Sequence, residues 1–116
     1  MSDNQRTPGK TTVSIAVLTE IAHMAALGVP GVQALGVGPA GGRMFRRMKS
    51  PGVRLMLQDN LISGDLYVVI KGDQNIREVG REVQLQVARA IQEMVGMAVT
   101  RLDVHVEDIV YESSKS

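Results

Sequence analysis

The chain has no cysteine and no tryptophan, and its aromatic residues come to one phenylalanine and two tyrosines among 116 residues. Without cysteine there is no disulfide framework, no thiolate metal site and no cysteine nucleophile. With so few aromatics a base-stacking platform for single-stranded nucleic acid is poorly supplied. Long apolar runs are also missing. The strongest is Leu66–Ile70, against the roughly 20 residues that a membrane-spanning helix needs. Met1–Lys10 is polar and holds no apolar stretch of the kind a secretory signal carries, so none is expected there. What remains is ordinary for one globular domain: 44% hydrophobic and 22% charged residues.

Net charge is only +1, from 13 basic and 12 acidic residues, but it is unevenly spread. No acidic residue stands between Glu20 and Asp59, and Arg43, Arg46, Arg47, Lys49 and Arg54 all fall in that gap. The chain thus carries one local positive patch on an otherwise balanced domain.

The hydrophobic pattern divides the rest. Residues 1–10 and 113–116 read as tails around a single domain over 11–112. Thr11–Val13 is expected to form a short strand. Ser14 then caps a helix that carries Val17, Ile21 and Met24 at helical spacing and stops at Gly28 and Pro30. Val32–Val37 is a second strand, and 38–50 a loop rich in glycine and arginine. Val53, Leu55 and Leu57 alternate with Arg54, Met56 and Gln58 in a half-buried strand that ends at an Asp59-Asn60 turn. Leu66–Ile70 is apolar on both faces, as a central strand is. Asn75 and Glu78 have capping-box spacing before a helix with Ile76, Val79, Val83, Val87, Ile91 and Met94 on one side and Gly96 at its end. A last strand alternates Leu102, Val104 and Val106 with Arg101, Asp103, His105 and Glu107, extended by Ile109 and Tyr111. Two amphipathic helices and one-sided strands give an α+β fold of order (β)αβββαβ. Both helices pack on one face of a small sheet, mainly antiparallel or mixed.

These segments, taken in order, carry a resemblance. Val13-Ser14 opens the first helix, Ile21-Ala22 and Ala25-Ala26 lie within it, and Val29-Pro30-Gly31-Val32 closes it. Asp65–Ile70 with Gly72 follows, then Ile76, Val79, Val83-Gln84 and Val87. Gly96, Val99, Leu102–Val106 and Ile109 complete the set. Over about residues 11–111 the chain resembles the alkaline shock protein family, the envelope stress response family of Gram-positive and related bacteria. The resemblance implies a non-enzymatic α+β protein of the cytoplasm. Its implied role is cell-envelope homeostasis and stress response, and it would sit at the inner face of the membrane through a membrane-anchored partner. It also implies self-association, so a homo-oligomer is expected. It implies no catalytic residues, no cofactor and no small-molecule substrate.

Gly36–Gly41 matches GxGxxG, but only residues 42–49 remain for a helix before Pro51, so a loop is favoured over a dinucleotide site. The run Arg43-Met44-Phe45-Arg46-Arg47-Met48-Lys49, wound as a helix, separates Met44, Phe45 and Met48 from its arginines. That pattern suits an anionic membrane surface or partner, with Arg43, Phe45, Arg46, Arg47, Lys49 and Arg54 as binding residues. The competing function is a small nucleic-acid-binding module using the basic 43–54 segment. Gly28–Gly31 and Gly38–Gly41 fit the GxxG of a KH domain, but each flanks a strand instead of joining two helices. Asp103, His105 and Glu107 on one strand face, and Glu20 with His23 on a helix, are read as solvated surface instead of metal ligands. Met56, Tyr67 and Val69 are expected on the sheet face away from the helices, either as a self-association face or packed under the 38–50 loop.

Overall fold

The structure is a computed structural model that describes residues 8–39 and 50–111. The basic run at 43–49 lies outside the described residues, as does most of the Gly-Arg loop. The element order is α1 (Ile15–Leu27), β1 (Val32–Leu35), β2 (Val53–Gln58), β3 (Leu61–Lys71), α2 (Ile76–Val95) and β4 (Ala98–Val110).

Both helices are capped where the sequence says they should be. The Ser14 hydroxyl accepts from the Val17 amide at 3.2 Å, and the Asn75 side chain accepts from the Glu78 amide at 3.1 Å. Gly96 ends α2 in the left-handed region at φ 79°, which glycine enters without steric penalty. The strand expected at Thr11–Val13 is not formed. These residues run up to the α1 cap without pairing, and Val13 packs against the core instead.

β3 organises the four-stranded sheet. On one edge it carries β4, in parallel, from Leu61↔Ala98 to Lys71↔Val110. On the other edge it carries two antiparallel strands end to end: β2 beside Leu61–Leu66, and β1 beside Val68–Ile70. The change from one to the other falls at Tyr67. Its amide donates to the Gly52 carbonyl at 2.8 Å, and its carbonyl accepts from the Gly36 amide at 2.6 Å. The chain between Gly36 and Gly52 therefore leaves the sheet and returns to it at one point.

β3 begins earlier than its apolar run suggests. Asp59 and Asn60 both have positive φ, 54° and 64°, which makes a two-residue hairpin whose twist matches the strands. The hairpin pairs Gln58 with Leu61 and so draws Ile62, Ser63 and Gly64 into the ladder.

Ile62, Leu66, Val68 and Ile70 point to one face and are fully buried under the helices. Leu18, Ala22 and Ala26 of α1 and Val79, Val83, Val87 and Ile91 of α2 close over them. α1 lies over β1 and β2, α2 lies over β4, and the helices touch each other. The result is two layers, and no described helix or strand covers the other sheet face.

Candidate functional site

Polar chemistry collects on that open face. Ser63, Asp65, Tyr67 and Val69 alternate with the buried residues of β3 and share this side with Arg101, Asp103 and His105 of β4. His105 stands directly beside Tyr67 in the register. Its ring stacks on the tyrosine with centroids 4.7 Å apart, and its Nε2 lies 2.9 Å from Asp65 Oδ1. Asp103 is register neighbour to Asp65 and forms an ion pair with Arg101. Arg54 of β2 is register neighbour to Asp65 on the other side, with its Nε buried and unbonded.

A second cluster holds the base of the loop. β4 slips by one residue between Val106 and Asp108, so Glu107 is the extra residue of a bulge. Its carboxylate accepts from the amides of Val37 at 3.1 Å and Gly38 at 2.8 Å. These are the residues at which the chain departs from β1. Nothing in the sequence marks this contact, because some seventy positions separate the partners.

The metal reading of Asp103, His105 and Glu107 is thereby accounted for. The three are engaged separately, with Arg101, with Asp65 and Tyr67, and with two backbone amides. Among the described residues no three His, Asp or Glu side chains are grouped so as to hold a metal ion. Gly28–Gly31 joins α1 to β1, and Gly36 and Gly38 belong to the loop base, so neither glycine motif opens a helix among the described residues.

The expected self-association face is partly assembled. Met56 is 61% exposed, and Tyr67 and Val69 are half-buried. Ser63 lies beside Met56 and Asp65 precedes Tyr67, so the patch is not continuously apolar. Of the basic residues, only Arg54 is described. It lines a groove between α1 and β2 with Ile15, Thr19, His23 and Val53, where His23 Nδ1 is also buried and unbonded. No helix among the described residues is long and apolar enough to cross a membrane.

Comparison with known proteins puts this arrangement in context. Residues 3–111 match the alkaline shock protein 23 family, which is described by a cell envelope-related function. The chain belongs to this family. The uncharacterized protein Spy1535 of Streptococcus pyogenes is 26% identical over 107 residues, which is 91% of this chain and 83% of that protein. Among solved structures, MamM-CTD is similar with a TM-score of 0.59 and 17% identity over 82% of this chain and 99% of that one. A variant of MamM CTD gives 0.56 and 19%, over 78% and 92%. At such identities the likeness is one of fold, and it agrees with the two-layer α+β architecture of this alkaline shock family member.

Proposed function

We propose that the protein is a non-catalytic docking module of envelope homeostasis and stress response, working at the cytoplasmic side of the membrane. It self-associates or binds a membrane-anchored partner, and the segment Arg43–Lys49 with Arg54 adds attraction to an anionic surface. The family match over residues 3–111, with its cell envelope-related function, carries this reading. The geometry supports it. On the open face His105 pairs with Asp65 and Arg101 with Asp103, spread along the strands instead of converging in a cleft.

Each lysine or arginine near an anionic surface contributes about 1 kcal/mol, weakened by salt. Wild type is therefore expected to co-sediment with vesicles containing anionic lipid at low salt. A variant with Arg43, Arg46, Arg47 and Lys49 all changed to Ser is expected to stay in the supernatant. Equal sedimentation of the two would remove the basic segment from the mechanism. Turnover of a metabolite by the pure protein, abolished by one side-chain change, would overturn the whole reading.

A further inference from the structure

Self-association needs a surface, and the free edge of β4 offers one. β4 pairs with β3 on one side, and no described strand pairs with the other. Gln84 of α2 donates to the Leu102 carbonyl at 2.9 Å, so that carbonyl is directed off the sheet. Backbone groups alternate along a strand, which directs the amides and carbonyls of Val104 and Val106 off the same edge. The bulge at Glu107 reverses the alternation, and the Val110 carbonyl turns inward to accept from Gly72 at 2.9 Å. A bulge at Thr100 interrupts the strand at the other end. The regular open edge is thus the run Arg101–Val106, a ready template for another strand.

Gly80 is the second observation. It sits in the interior of α2, where glycine destabilises a helix by about 0.5–1 kcal/mol relative to alanine. A Cβ there would meet nothing closer than Val104 Cγ1 at 4.0 Å. Nothing among the described residues requires a glycine at this position. What it does provide is close access to α2 directly above the open edge. Ile76, Val104 and Val106 line the same groove, and Ile76 and Val106 are 38% and 37% exposed.

We propose that two copies of the chain pair β4 with β4, antiparallel about Val104, so that the sheet continues across a two-fold axis and the α2 helices pass each other at Gly80. The inference rests on the self-associating reading above and names its surface. The charge pattern selects the partner. Pairing about Val104 sets Asp103 opposite His105 of the second copy, twice by symmetry, and Leu102 opposite Val106. Asp103 is already register neighbour to Asp65, and like charges so placed are unfavourable. The pairing therefore sets an imidazole, not a further carboxylate, beside Asp103, whose own side chain is paired with Arg101. Pairing about Leu102 or Val106 would run the ladder into the bulge at Thr100 or Glu107.

Sedimentation velocity on the full chain tests the proposal. Val104→Pro removes an amide that faces off the sheet, a substitution that edge strands tolerate. Gly80→Leu fills space that is empty in the single chain but blocks a second helix. Wild type is expected to be dimeric. Both variants should dissociate at least about tenfold more readily, a change of about 1.4 kcal/mol, with unchanged far-ultraviolet circular dichroism. A Val104→Cys variant, in a chain with no other cysteine, should cross-link on oxidation, whereas Leu85→Cys on the outer side of α2 should not. Dimers that ignore both blocking variants and fail to cross-link through position 104 overturn the β4 interface and leave self-association standing. A wild type that stays monomeric at the highest attainable concentration overturns both.

Discussion

Gly52 lies where two stretches of backbone meet. A Cβ placed on it would stand 2.5 Å from the Gly36 carbonyl oxygen and 2.9 Å from that of Tyr67. Backbone cannot swing aside as a flexible side chain can. Gly52→Ala is therefore expected to destabilise the protein by about 1–3 kcal/mol, as overpacking does. Gly80→Ala should act in the opposite sense on the isolated chain, raising stability by about 0.5–1 kcal/mol, because a Cβ there meets open space. Urea denaturation of both variants measures the pair, and a shared sign would refute the steric account. Glu107 is a third residue whose neighbours define it. Its carboxylate engages two amides that would otherwise be left to solvent at the start of the loop.

At the scale of elements, the helices were legible in advance because their signals are local. Ser14 and Asn75 stand one position before the first helical turn, and each bonds an amide three residues on. Replacing Asn75 with Ala should lower stability by about 1 kcal/mol, within the range for lost N-caps, as read from the denaturation midpoint. The strands were legible only where apolar residues alternate. Ser63, Gly64 and Asp65 conceal half of β3, since their place in the ladder is set by the hairpin turn and by β4 rather than by their own preference. Thr11–Val13 shows the converse: residues of strand-forming type lead into the Ser14 cap and put Val13 on the core without joining any ladder. The pairing of His105 with Asp65 and of Glu107 with the loop base depends on parallel register and on a bulge, neither of which leaves a trace in spacing. β3, bonded on both edges, should hold the slowest-exchanging amides of the sheet. Amides of Val104 and Val106 should exchange faster in dilute protein and slow as concentration rises. Hydrogen–deuterium exchange at two concentrations reads both effects.

Among the described residues, the whole is a half-covered sheet. Helices seal one face with a continuous aliphatic core, and the other face presents alternating charge with Met56 and Tyr67 set into it. Family membership places such a platform in envelope-related work, in keeping with the docking role proposed above. Doubling the sheet through β4 would leave Met56 of the two copies at opposite ends of one broad face, since β2 is the outer strand on each side. Charged contacts around such a face are salt-sensitive. Vesicle binding should therefore weaken with ionic strength more steeply than dimerisation, which rests mainly on backbone hydrogen bonds and aliphatic contact.

The point where the polypeptide quits the sheet at Gly36 and rejoins it at Gly52 has an engineering corollary. A Cβ on Gly38 would lie 3.2 Å from the Pro51 carbonyl oxygen, so the two stems stand side by side, with Tyr67 and Glu107 bonded to them. Between stems so close, closing a loop costs only about 0.6 kcal/mol more for each doubling of its length. Swapping residues 39–50 for a short Gly-Ser connector should leave the melting temperature nearly unmoved, and grafting another peptide there would turn the same scaffold toward a different target.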